Sequence, residues 1–202
     1  MNTGHDAVIL AAGGSRRLGL PKQLLTRHGE ALVACVARMV LATNPERTIV
    51  VVGAHCNEVT AALGDLDVQV LVNELWSTGM ASSLRLAAGE LAGRERPTLV
   101  TVVDQPALEV RHLLALLAAH GDDRDTVSRY GDARGVPVVL RASTLSRGME
   151  LEGDAGFRDL WRDLAPRSVR ADELGDDLDE EADLRRAVAA GWLDDPGGAD
   201  SV

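Results

Sequence analysis

The segment Leu10-Ala-Ala-Gly-Gly-Ser-Arg-Arg-Leu-Gly-Leu-Pro-Lys22, entered from the apolar run Ala7–Leu10, constrains this chain more than any other part of it. An apolar run that breaks into a loop with glycines at 13, 14 and 19 predicts a strand that delivers backbone N–H groups to a ligand, because glycine has no Cβ to hold the ligand off. Charge points the same way. No acidic residue stands between Asp6 and Glu30, whereas Arg16, Arg17, Lys22 and Arg27 are cationic in a chain of formal net charge -10. The loop is built to receive an anion. Lys22 is also the only lysine in the chain, so a compact ammonium is kept at the one place where a planar guanidinium would not serve. As a loop residue it is expected to be exposed.

Spacing excludes two common phosphate motifs. Gly14 and Gly19 satisfy the first half of a Walker A pattern, but Leu20-Pro21 stands where Lys and Ser/Thr should follow, and the adjacency of Gly13 and Gly14 breaks the dinucleotide fingerprint. What the segment resembles is the L-A-A-G-x-S-x-R-x-G-x-x-K signature of the molybdenum cofactor cytidylyltransferase and MobA-like NTP transferase family. That resemblance implies a nucleotide-binding loop made of Leu10, Ala11, Ala12, Gly13, Gly14, Ser15, Arg16 and Lys22, with Arg16 and Lys22 also catalytic.

With 202 residues the chain has the length of one domain, expected over residues 1–193, followed by a turn-rich acidic tail, 194–202, expected to be disordered. Hydrophobic residues make up 46% and aromatics 2%, so the core must be built from Ala, Val and Leu. The acidic balance argues against a nucleic-acid surface. No apolar stretch approaches the roughly 20 residues that span a bilayer, and the N-terminus lacks the pattern of a signal peptide, so no membrane contact and a cytoplasmic location are expected. Cys35 and Cys56 lack CxxC spacing and are read as free thiols. The five histidines show no metal-ligand spacing and are read as surface or capping residues.

Apolar runs alternate with helical patterns along the chain, which predicts βαβ units and a mostly parallel sheet. Strands are expected over 7–12, 48–53, 68–72, 98–103, 126–130 and 136–140, with a shorter one at 168–169. Helices are expected over 31–43, 57–63 (with Asn57 as N-cap), 80–91, 110–119, 157–164 and 180–190. The fold class is therefore α/β, and the resemblance implies a single-domain, three-layer, Rossmann-like nucleotidyltransferase fold. In such sheets ligands sit beyond the carboxyl ends of the strands, so the loops after the strands hold the remaining candidates.

Asp104 is the first polar residue after an apolar strand, placed to hold a metal or to cap a turn. Val103-Asp-Gln-Pro106 resembles the D-Q-P segment of the cytidylyltransferase branch, which implies Asp104 as a catalytic Mg²⁺ ligand that also meets the nucleotide, with Gln105 and Pro106 on the acceptor side. One carboxylate holds Mg²⁺ weakly, so a second is expected. Gly153-Asp-Ala-Gly156 resembles the family's G-D-x-G-A-R segment, and Asp177-Leu-Asp-Glu-Glu-Ala-Asp-Leu184 resembles its closing D-x-D-T-P-E-D-L segment. Asp154 and Asp177 thus compete as second ligand, with Asp177 ahead and Asp154 assigned to the acceptor. Their bland alternatives are a turn residue for Asp154 and helix N-terminal acids for Asp177 and Asp179. Phe157 stands where the family has alanine, and Glu180-Glu-Ala182 replaces Thr-Pro-Glu.

Asn73-Glu-Leu-Trp-Ser-Thr-Gly79-Met-Ala-Ser-Ser83 resembles the family's N-x-x-W-x-x-G-M-x-S-S-L segment, which implies that Asn73, Gly79, Ser82 and Ser83 lie near the nucleotide. Gly135-Val-Pro137 resembles its G-x-P segment on the acceptor side. The implied reaction is Mg²⁺-dependent transfer of a nucleoside monophosphate, CMP from CTP, to the phosphate of molybdopterin or its molybdenum form, with release of pyrophosphate. A molybdoenzyme receiving the product is an implied partner. The alternatives are another triphosphate such as GTP with a sugar, polyol or lactyl phosphate acceptor, or a non-catalytic molybdoenzyme maturation factor.

Overall fold

The computed structural model describes residues 4–150, 161 and 165–197. Its centre is β1 (Asp6–Ala11), every residue of which is buried. The chain runs outward from β1 on one side, through α1 (Leu32–Leu41), β4 (Arg47–Val52), α2 (Cys56–Leu63) and β5 (Gln69–Val72), and then crosses back. On the other side α3 (Met80–Glu90) leads to β6 (Thr98–Val102), α4 (Val110–Ala119), β7 (Thr126–Tyr130) and β8 (Ala133–Leu140). A short α5 (Ala142–Arg147), the strand β9 (Arg167–Arg170) and α6 (Glu181–Ala189) complete the chain, and β2 (Thr26–Arg27) with β3 (Glu30–Ala31) forms a separate small hairpin.

The seven-stranded sheet has the order β5-β4-β1-β6-β8-β7-β9. Strands β5, β4, β1 and β6 are parallel, β8 is antiparallel to both of its neighbours, and β9 is parallel to β7. The expected α/β class with a mostly parallel sheet is what the structure has. Alternation along β1 explains the layers, because successive side chains of a strand point to opposite faces. Ala7, Ile9 and Ala11 pack with Val33, Val36, Val59, Leu113 and Leu116 of α1, α2 and α4, while Val8 and Leu10 pack with Leu84, Ala87 and Ala88 of α3 on the far side.

Most of the expected elements form within a residue or two of their expected ends. Four expectations are corrected. The helix expected from Asn57 starts at Cys56, because His55 takes a left-handed φ of 56° and occupies the N-cap position without a side-chain hydrogen bond. Residues 133–135, expected in a turn, belong to β8, which pairs with β7 from Thr126↔Val139 to Tyr130↔Ala133 across a register shift between Val127 and Ser128. The β2–β3 hairpin and α5 were not expected, being too short to show a period. His5 and His112 are buried: His5 shares a 2.9 Å hydrogen bond with Thr43 and His112 a 2.7 Å one with Ser128, and burial lowers both pKa values. The helix expected over 157–164, apart from Trp161, and Asp154 fall outside the described residues. Asp194, where the tail was placed, accepts hydrogen bonds from the backbone N–H groups of His28 and Gly29.

Register brings the site together. β1 pairs with β4 as far as Ala11↔Val52 and with β6 as far as Leu10↔Val102, so the loops starting at Ala12, Gly53 and Val103 leave one sheet edge at one level. It is also where strand order reverses, the place at which open α/β sheets bind ligands.

Candidate active site

The loop after β1 is held by its own side chains. Gln23, 1% exposed, donates from Nε2 to the carbonyls of Ala11 (2.8 Å) and Gly13 (2.7 Å), clamping the strand end to the loop. Ser15 adopts φ 48°; its carbonyl accepts from Gly19 N at 3.0 Å and its hydroxyl from Lys22 N at 3.1 Å, folding the loop back on itself. Replacing Gln23 by leucine, of similar volume, strands those carbonyls and is expected to cost about 1–3 kcal/mol of stability in urea unfolding. An unchanged midpoint would show that the clamp is dispensable.

Lys22 is not the exposed residue expected of a loop: its side chain is 11% exposed, because it points across the cleft to the end of β6. Nζ lies 3.0 Å from Asp104 Oδ2 and 3.4 Å from Asp179 Oδ1. Asp179 also binds Arg17 Nη2 at 2.7 Å through its other oxygen. The segment carrying Asp179 is fixed by Leu178 N donating to the Asp104 carbonyl at 2.9 Å and by the Asp183 carboxylate, which accepts from the N–H groups of Asp179 and Glu180. Asp183 belongs to a capping box with Glu180 at the start of α6, so a helix cap positions a site carboxylate.

The cleft, about 370 Å³, is lined by Leu10, Ala12, Gly13, Gly14, Ser15, Arg16, Lys22, Gly79, Ser83 and Asp104 of the expected set. Arg17, Gln23, Trp76, Met80 and Asp179 line it as well. Arg17, Trp76, Met80 and Asp179 stand in segments the sequence singles out, Asp179 as the second acid of the D-x-D pair, whereas no local pattern points to Gln23.

Several expected residues do not reach the wall. Ala11 faces the core. Asn73 is an internal staple, its Nδ2 donating to the Ser82 and Ser83 hydroxyls at 2.8 and 2.9 Å and its Oδ1 accepting from Leu75 N. Gln105, 2% exposed, donates to the carbonyls of Val136 (3.1 Å) and Leu174 (3.0 Å). Pro106 and Pro137 are buried, and Gly135 sits under Tyr130, whose hydroxyl a Cβ there would meet. Cys35 and Cys56 also lie off the cleft, and burial with Glu30 nearby pushes the Cys35 thiol up to about 11, leaving it protonated.

Asp177 is outside the lining but close to it. Desolvation, and then the charge of Asp104, push its carboxyl up to about 6. Among the described residues no three His, Cys, Asp or Glu side chains form a ready-made metal cage. Asp104 and Asp179 offer hard oxygen donors within reach of a single ammonium.

A glycine-rich cationic loop facing acidic oxygens at the switch point of a mostly parallel sheet defines a nucleotidyltransferase. The chain belongs to the family of the MobA-like NTP transferase domain, which matches residues 7–169. It is 35% identical over 160 residues to nicotine blue oxidoreductase of Paenarthrobacter nicotinovorans, covering 75% of this chain and 78% of that one. It is 38% identical over 116 residues to Bifunctional protein GlmU of Streptococcus equi subsp. zooepidemicus, covering 56% of this chain and only 25% of GlmU. Among solved structures, Rv0371c from Mycobacterium tuberculosis H37Rv matches with a TM-score of 0.81 at 27% identity, over 94% of this chain and 100% of that one. A manganese complex of Rv0371c also matches, with a TM-score of 0.78 at 25% identity.

Proposed function

We propose that this chain transfers CMP from CTP to the phosphate of molybdopterin or its molybdenum form, with Mg²⁺, releasing pyrophosphate. The observation that carries the transfer reading is the Lys22–Asp104 pair across the cleft, since a triphosphate needs cations on its phosphates and a carboxylate to hold its metal. In this reading the N–H groups of Gly13, Gly14 and Ser15 bind phosphate oxygens, and Arg16 and Lys22 neutralise the charge that grows on the leaving pyrophosphate. Asp104, with either Asp179 or Asp177 as a second carboxylate, would hold the cation, which would supply charge neutralisation to the phosphates when bound. The molybdenum-linked acceptor, the CTP donor and a receiving molybdoenzyme rest on the likeness of the loop, D-Q-P and D-x-D segments to the cytidylyltransferase branch. Incubation with each nucleoside triphosphate, Mg²⁺ and molybdopterin, a sugar phosphate or a polyol phosphate, followed by pyrophosphate release, is expected to select CTP with molybdopterin. Release with another pair would reassign the substrates.

A second reading rests on the 35% identity to nicotine blue oxidoreductase: reduction of a dye-like substrate in the same cleft. Bleaching of such a dye by the purified chain with a reduced nicotinamide, and no pyrophosphate release from any triphosphate, would select it.

The raised Asp177 pKa gives a pH signature. A carboxyl shifted above its ordinary value keeps its proton to higher pH, so protonation near pH 6 opposes cation binding at that carboxylate. Mg²⁺ or Mn²⁺ affinity measured by calorimetry should fall as pH is lowered through about 6, and Asp177→Asn should flatten the profile. An affinity that is level from pH 5 to 7.5 in the parent chain would remove Asp177 from the cation site.

A further inference from the structure

Trp76 occupies a space made for it. Gly14 and Gly53 have no positive φ, so neither is glycine because of its own backbone conformation. A Cβ on Gly14 would lie 2.8 Å from the Trp76 ring, and one on Gly53 would lie 2.5 Å from Trp76 Cβ and 2.9 Å from the Ala12 carbonyl. The loops after β1 and β4 thus form a slot into which the indole fits, and the slot exists because two side chains are missing. The backbone of Trp76 is anchored to the end of β4, since Asn73 N donates to Val52 O at 2.8 Å and Trp76 N to Asn73 O at 3.3 Å. The ring faces a cation: Arg16 Cζ stands 5.7 Å from its centroid, within cation–π range. Among the described residues Arg16 has no carboxylate partner, whereas its neighbour Arg17 is tied to Asp179. Both Trp76 and Arg16 line the cleft.

We propose that Trp76 is a positioning residue of the transfer site: its indole, wedged between Gly14 and Gly53, supports the phosphate loop from below and holds the Arg16 guanidinium over the cleft. This rests on the nucleotide reading of the loop. A guanidinium held by a π face is oriented without being neutralised, so it keeps its full charge for an incoming phosphate. A carboxylate partner would have to be displaced first.

Inorganic pyrophosphate, titrated calorimetrically without acceptor, tests this directly. Trp76→Leu, which keeps an apolar wedge and removes the π face, is expected to weaken pyrophosphate binding about two- to fivefold, the range of an exposed cation–π contact. Trp76→Phe should restore most of the loss. In an Arg16→Ala background Trp76→Leu should have no further effect, which a merely structural tryptophan would not obey; thermal unfolding of each variant reports any loss of fold separately. Additive losses from Arg16→Ala and Trp76→Leu, or parent affinity in Trp76→Leu, would overturn the proposal while leaving the nucleotide reading intact. Failure of the parent chain to bind pyrophosphate or any triphosphate would overturn both.

Discussion

Lys22→Ala is expected to lower turnover by about 10²–10³-fold, the usual cost of removing one preorganised charge stabiliser from a transfer site. Lys22 is the group best placed to follow charge as it moves from the α-phosphate to the leaving pyrophosphate, because Nζ already bridges the carboxylates of Asp104 and Asp179 at 3.0 and 3.4 Å. Arginine should not rescue it: in a position only 11% exposed, a planar fork cannot replace a compact ammonium between two carboxylates. The alanine variant also leaves Asp104, Asp177 and Asp179 without their shared cation, so its Asp177 should titrate higher still. Steady-state turnover of Lys22→Ala and Lys22→Arg at saturating substrate is the measurement. Parent-like rates in either would take away the role given to this lysine.

Asp104→Asn should abolish the metal-dependent rate. The side chain keeps its shape and loses its charge, so the change tests the electrostatic role more than the packing. Asp104 is the nearest carboxylate to Lys22, at 3.0 Å, and its backbone carbonyl receives Leu178 N at 2.9 Å, so it anchors the segment that brings Asp179 in. That backbone bond does not depend on the side chain, and the asparagine variant is expected to fold. A variant with a parent-like response to Mg²⁺ titration would place the ligand elsewhere.

The cationic glycine loop and the aspartate just after β6, which the structure brings to one cleft, each stood out in the sequence for a local reason: glycines and basic residues after one apolar run, a lone acid after another. The acceptor-side residues were less so. Gln105 stands beside Asp104 in sequence, yet its side chain turns inward to bind two main-chain carbonyls, and the choice between cleft and core depends on where β8 and the turn at Leu174 lie. Asp179 has the same origin. Nothing in Asp177-Leu178-Asp179 says which acid faces Lys22 until Leu178 is seen buried and hydrogen-bonded to Asp104.

The sequence by itself determined the alternation of strands and helices, the small apolar side chains available to the core, and the loop that gathers positive charge, because each is read from composition or from residues within about ten positions of one another. Only the tertiary structure decided which charges meet. Lys22 and Asp104 are 82 positions apart and Lys22 and Asp179 are 157 apart. They converge because parallel strands of matched register end at one edge and a capped helix returns the chain to it, a consequence of long-range pairing that no local pattern records.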